Sequence, residues 1–222
     1  MMAQSVEQAR FNMVQQQIRP WEVIDPRVIS LMESLPRDVF VPETYAHLAY
    51  ADTEIPIGEG ESMMFPRVEA RLLQALELQP TDQVLEVGTG SGYLTACLAR
   101  LSRRVVSIDI NPAFTASATA KLERQGIGNV LLKHGDAMAA AQDEGPFDAI
   151  AVTGAVANAG QADIFRHQLK TGGRLFIVIG TPPAMRATLI TRVGEQAYSE
   201  EAVFETDLKT LINAGAPRKF EF

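Results

Sequence analysis

The sequence predicts an α/β fold: a doubly wound, mostly parallel sheet of seven strands that ends in an antiparallel C-terminal hairpin and follows an N-terminal helical lead-in. Three observations carry this expectation. Between Gln83 and Gly180, short apolar β-branched runs alternate with helix-length segments, as in a parallel sheet covered on both faces. After Gly180, two strand-like runs meet near Gly194-Glu195, as in an antiparallel hairpin. Residues 1–80 carry helical signals and a loop-rich stretch instead.

The elements follow in order. Residues 4 to 18 read as a polar, Gln-rich helix, and Asp25-Pro26 is a cap and first-turn pair for a second helix through Val28, Ile29, Leu31 and Met32. Val39 to Gly60 shows little periodicity and reads as an extended connection. From Pro66, the residues Val68, Leu72, Ala75 and Leu76 share one helix face, and that helix should end near Pro80. The alternating units are QVLEVG (strand), YLTACLARL (helix), RVVSIDI (strand), PAFTASATAKLERQG (helix), NVLLKHGD (strand), FDAIAVTG (strand), ADIFRHQLK (helix) and RLFIVIG (strand). ATLITRVG and AYSEEAVFET form the hairpin, and Leu208 to Phe222 gives no assignment. A single domain over 1–222 is expected, with a lead-in and substrate loop over 1–80, a cofactor-binding core over 81–180 and the hairpin and tail over 181–222.

The bulk numbers suit such a fold and narrow its function. With 222 residues, 46% of them hydrophobic and 21% charged, the chain can bury a substantial core. Twenty Lys and Arg against 27 Asp and Glu leave a formal charge of -7, a field that repels phosphate backbones, so nucleic acid is not expected as a partner. Cys97 is the only cysteine, which excludes an internal disulfide and a thiolate zinc cluster, and His47, His134 and His167 lack ligand spacing. No metal is expected. The N-terminal MMAQSVEQARFNMVQQQIRP lacks the basic start and apolar run of a signal peptide, and no segment nears the roughly 18 apolar residues of a membrane span, so a cytoplasmic location is expected.

The most informative stretch is VLEVGTGSGYL, Val84 to Leu94, where a buried-type strand runs through Gly88, Gly90 and Gly92 into a helix. Alternate glycines let the backbone turn sharply and let a ligand approach it closely. The spacing G-x-G-x-G departs from the dinucleotide pattern G-x-G-x-x-G, and Glu86 stands two residues before the first glycine, a poor neighbour for a pyrophosphate and a good one for a cationic amino-acid head. S-adenosylmethionine has such a head and a sulfonium besides. Asp109, about 20 residues beyond the turn, is placed for ribose hydroxyls, and Asp136 in HGDA for an adenine amine. Cys97 falls on the apolar pattern of the following helix and reads as packing.

Together VLEVGTGSGYLTACLAR, SIDI, GDA and FDAIAVTGA resemble the class I S-adenosylmethionine-dependent methyltransferases, with their Rossmann-like fold. ADTEIPIGEGESMMFPRVEARLLQAL and LKTGGRLFIVIG narrow the resemblance to the protein-L-isoaspartate O-methyltransferases, over most of Ile18 to Gly180. That resemblance implies S-adenosylmethionine as cofactor and isoaspartyl residues of damaged proteins as acceptors. It also implies that Gly88, Thr89, Gly90, Ser91 and Gly92 cradle the methionine end, that Asp109 with Ile110 holds the ribose side, that Asp136 and Ala137 flank adenine, and that Thr153 and Gly154 border the transferable methyl. The family reads Thr-Ile-Ser-x-Pro where this chain has Ser62-Met63-Met64-Phe65-Pro66, so Met64 occupies the position of the active-site serine while Ser62 matches the threonine. A thioether cannot donate a hydrogen bond to a carboxylate.

Methyl transfer from a sulfonium to an ionised carboxylate needs positioning more than a base. An alcohol or amine acceptor would need one, and Asp52, Glu54, Glu59 and Glu61 are the candidates. Three other readings stay open on the residues alone: the same scaffold with Met63, Met64 and Phe65 around a more apolar acceptor, a cofactor-binding interaction protein without turnover, and a nicotinamide-dependent oxidoreductase, which the glycine spacing disfavours.

Overall fold

A computed structural model describes residues 5–139 and 142–214. The lead-in comprises α1 (Val6–Met13), continued by a π turn over Val14–Ile18, and α2 (Pro26–Ser34). Asp25 caps α2 by accepting a hydrogen bond from the Arg27 N–H, and Val28, Ile29, Leu31 and Met32 are its buried face. The Val39–Gly60 connection contains more order than its sequence suggests. Two 3₁₀ turns (Arg37–Phe40 and Glu43–Leu48) lead into β1 (Ile55–Gly58), which pairs antiparallel with β2 (Glu61–Met63). A hairpin with strands this short has no alternation to read, and Gly58, Glu59 and Gly60 all take positive φ to make its turn.

Pro66 opens α3 (Pro66–Leu76), which stops at Glu77 in the left-handed region, just short of Pro80. There follow β3 (Gln83–Val87), α4 (Tyr93–Leu101), β4 (Arg104–Asp109), α5 (Pro112–Arg124), β5 (Val130–His134), β6 (Phe147–Val156), α6 (Ala159–Arg166), β7 (Leu169–Thr181), β8 (Ala184–Arg192) and β9 (Tyr198–Glu205). Helix α6 ends before the expected Lys170. Leu169 already pairs with Phe147, and the Phe147 N–H donates to the Gln168 carbonyl, so the ladder to β6 claims this stretch.

The seven strands lie in the order β5-β4-β3-β6-β7-β8-β9, parallel from β5 to β7 and antiparallel from β7 to β9. The sheet class, the seven strands and the C-terminal hairpin agree with the sequence expectation. Successive strand residues serve opposite faces. Val84, Val105 and Ala149 join one buried cluster with α2, α3 and α4, whereas Leu85, Val106 and Ile150 join a second with Phe165 of α6. Chain order reverses on either side of β3, which opens a crevice at the carboxyl ends of β3, β4 and β6.

Candidate active site

A cavity of about 720 Å³ occupies that crevice. The glycine turn after β3 forms its floor, Asp109 to Asn111 and Gly135 to Met138 form one side, and the β1–β2 hairpin faces them. The segment 207–212 closes the remaining side.

The register of the sheet sets Val87 beside Ile108 and Val152, which brings the ends of three strands to one rim. Gly88 has φ 93°, and a Cβ there would lie 2.1 Å from Thr153 Oγ1, so this position excludes a side chain on two counts. The Thr153 hydroxyl donates to the carbonyls of Val87 and Gly88 at 2.9 and 3.0 Å, fastening the turn to β6. Asp109 accepts from the Gly90 N–H at 2.9 Å through Oδ2 and from the Asn111 N–H at 2.8 Å through Oδ1. Each oxygen keeps acceptor capacity beyond these bonds.

Of the residues named from the sequence, Ser62, Met64, Gly88, Gly90, Asp109, Ile110, Asp136, Ala137, Thr153 and Gly154 all line the cavity. Glu86, Thr89, Ser91 and Gly92 lie outside its lining. The Glu86 carboxyl is fully buried, accepting through Oε2 from Ser107 and from Thr95, while Ser107 shares a 2.6 Å hydrogen bond with Thr89. Among the described residues its Oε1 has no hydrogen-bond partner. Burial pushes this carboxyl up to about 8 against the downward pull of the two hydroxyls. Ser91 Oγ accepts from the Tyr93 N–H at the start of α4, and Gly92 packs against Ala118. These four shape the turn from behind.

On the hairpin side, Met63 and Met64 divide their duties. Met63 is buried beside Ile55, while Met64, only 6% exposed, contributes to the cavity wall. The backbone at Met64 is held from within: Arg37, wholly buried, donates to the Met64 carbonyl at 2.8 Å and to Glu69 Oε2 at 2.7 Å, with its guanidinium 4.8 Å from the Tyr93 ring centre. Arg37 thus joins the hairpin to the helix that follows the glycine turn. Of the candidate bases, Asp52 pairs with Arg67 outside the cavity, and Glu61 pairs with Lys209. Glu54 and Glu59 line the wall, and burial, with Asp207 as a second cause, pushes the Glu54 carboxyl up. His134 and His167 are absent from the lining, and Cys97 is buried, its thiol pushed up by burial.

The sequence reading missed the strap from Asp207 to Asn213. The Ala155 N–H donates to the Lys209 carbonyl and the Leu211 N–H to the Ala155 carbonyl, both at 2.9 Å. Gly154 makes room for it, since a Cβ there would lie 2.7 Å from Leu211 Cδ2. Asn213 Nδ2 donates to Asp136 Oδ2 at 2.8 Å, and Lys209 Nζ reaches the Gly60 carbonyl at 2.9 Å. Only the mixed apolar and polar run LKTLIN hints at this in the sequence.

Comparison with known proteins agrees with this architecture. Residues 8–211 match the family model described as Protein-L-isoaspartate(D-aspartate) O-methyltransferase. The chain is 40% identical over 192 residues to the protein-L-isoaspartate O-methyltransferase of Aliivibrio fischeri, covering 86% of this chain and 91% of that one. It is 41% identical over 180 residues to the Magnetococcus marinus enzyme of the same name, covering 81% and 78%. In fold it is similar to a Plasmodium falciparum protein assigned to the same activity and solved with S-adenosyl-L-homocysteine, with TM-score 0.77, 22% identity and coverage of 95% and 99%. The chain belongs to the protein-L-isoaspartate (D-aspartate) O-methyltransferase family.

Proposed function

We propose that this protein transfers a methyl group from S-adenosylmethionine to the free carboxylate of an isoaspartyl residue in a damaged protein or peptide. The observation that carries the reading is the single cavity shared by the glycine turn with Asp109 and Asp136 and by the hairpin with Ser62 and Met64. A cofactor of this kind fits the residues present. The backbone of Gly88 and Gly90 is bare toward the cavity, Asp109 retains acceptor capacity for two ribose hydroxyls, Asp136 can accept from an adenine amine, and Ile110 and Ala137 offer apolar contact to the ring.

When bound, S-adenosylmethionine supplies an electrophilic methyl on a sulfonium. The protein's part is to hold the acceptor oxygen about 3 to 3.5 Å from that carbon, in line with the C–S bond, and to exclude water. An acceptor lone pair forms the O–C bond as the C–S bond breaks, leaving a neutral ester and a thioether. Because the acceptor carboxylate is already ionised at neutral pH, no side chain need take a proton. Thr153 and Gly154 would border the methyl, Ser62 keeps a hydroxyl on the hairpin side of the cavity, and Met64 contributes an apolar wall there.

Methyl transfer to an isoaspartyl peptide by the native protein, Ser62→Ala and Met64→Ser tests the reading. Transfer by the native protein that falls in Ser62→Ala supports it, and transfer gained only in Met64→Ser contradicts it. Met64 favours one second reading, the same transfer to a more apolar acceptor, which would then outcompete the isoaspartyl peptide. The lone Cys97 fits a reducing, cytoplasmic setting, and among the described residues no helix is long and apolar enough to cross a membrane.

A further inference from the structure

An anionic acceptor meets an unfavourable wall in this cavity. The described residues that line it include six carboxylates, Glu54, Glu59, Glu61, Asp109, Asp136 and Asp207, and one cation, Lys209. A carboxylate brought among these groups needs a counter-charge, because like charges repel more strongly as water is excluded.

Lys209 is built into the site. Its own carbonyl accepts from the Ala155 N–H, and the Leu211 N–H two residues on donates back to Ala155, so the strap is clipped to β6 just after Thr153 and Gly154. From that anchor the ammonium crosses the cavity mouth to the hairpin, donating to the Gly60 carbonyl at 2.9 Å and to Glu61 Oε1 at 2.5 Å. An ammonium has three protons, and these two bonds use two. The side chain is 57% exposed, so the pair with Glu61 exchanges readily with a competing carboxylate.

We infer that Lys209 is the acceptor-binding residue of this site, its ammonium holding the carboxylate of the isoaspartyl substrate in place of the hydroxyl absent at Met64. Glu61 occupies the lysine when the acceptor is away and is displaced by it. The inference rests on the carboxylate-acceptor reading above. It adds the group that recognises the carboxylate and a competitor that sets the affinity.

The test is steady-state kinetics with an isoaspartyl peptide amidated at its C-terminus, whose only carboxylate is the isoaspartyl one, together with calorimetry of S-adenosylmethionine and of the peptide. Loss of one charge-assisted contact in Lys209→Met should raise the peptide KM about tenfold and leave the cofactor Kd within about twofold. Lys209→Arg should recover most of that loss, since a guanidinium also holds a carboxylate. Glu61→Gln separates binding from mere tethering: if the lysine only ties strap to hairpin, it should behave like Lys209→Met, whereas freeing the lysine for the acceptor should lower the peptide KM about threefold. An unchanged KM in Lys209→Met, or a KM that rises in both variants, overturns the inference while native transfer keeps the reading above. Should the native protein transfer nothing to the peptide, that reading fails. Peptide binding lost only in Lys209→Met would then still support the lysine, and peptide binding unchanged or absent in both would overturn it.

Discussion

Buried charge gives the sharpest expectations at the scale of the residue. Arg37 and Glu69 are both shut away from water and paired with one another, and Arg37 also donates to the Met64 carbonyl. Removing only the arginine leaves the Glu69 carboxyl buried without its partner, so Arg37→Met should destabilise the fold by roughly 3 to 5 kcal/mol in urea titrations. The double variant Arg37→Met with Glu69→Leu should recover most of that loss, because no charge is left buried. Gly88 is constrained in another way, by φ 93° and by Thr153 Oγ1, which would lie 2.1 Å from any Cβ there. Gly88→Ala should therefore weaken S-adenosylmethionine binding by more than about tenfold in calorimetry, since the turn must move to admit the methyl group. The glycines, Asp109 and Asp136 were legible in the sequence because their chemistry is local to a strand end. The place of Glu86 near the turn was visible too, but its burial against Ser107 and Thr95 was not, because it depends on a neighbouring strand and helix.

Legibility among the elements follows length and locality. Strands β3, β4, β6 and β7 announce themselves as apolar β-branched runs because both their faces are buried. The β1–β2 hairpin, four residues against three, is too short for a period, and the strap from Asp207 to Asn213 is held by contacts distant in the chain, such as Lys209 to a partner 148 residues away. The hairpin's pairing and the strap's course were therefore invisible to local pattern, although Ser62 and Met64 were named from their motif. The strap also predicts a response to ligand. Its residues line the cavity and bond to Ala155 and Asp136, so S-adenosyl-L-homocysteine should slow amide hydrogen exchange of Leu211 together with that of Gly90. Protection of Gly90 with no change at Leu211 would show that the strap stands apart from the cofactor.

For the whole molecule, the buried acids make stability depend on pH. Burial raises Glu86 to about 8 and Glu69 to about 7, above the ordinary carboxylate value of 4.5, so the folded state binds more protons than the unfolded chain between that value and about 8. Their contribution is complete below the unfolded value and is lost as pH rises through the folded values. The thermal midpoint should fall by several degrees, roughly 5 °C, between pH 6 and pH 9, and Glu86→Gln should flatten much of that slope. Acids whose carboxyls are held low, Asp25, Glu144 and Asp148, titrate below this window and leave it undisturbed.

The central claim is that one cavity brings a sulfonium methyl to an isoaspartyl carboxylate. It is tested most directly by incubating the native protein with methyl-labelled S-adenosylmethionine and two amidated peptides that differ only in an isoaspartyl or an aspartyl linkage, followed by alkali. The account predicts label on the isoaspartyl peptide alone, released by alkali as methanol, as a methyl ester requires. Label that survives alkali, or that appears equally on the aspartyl peptide, would contradict it.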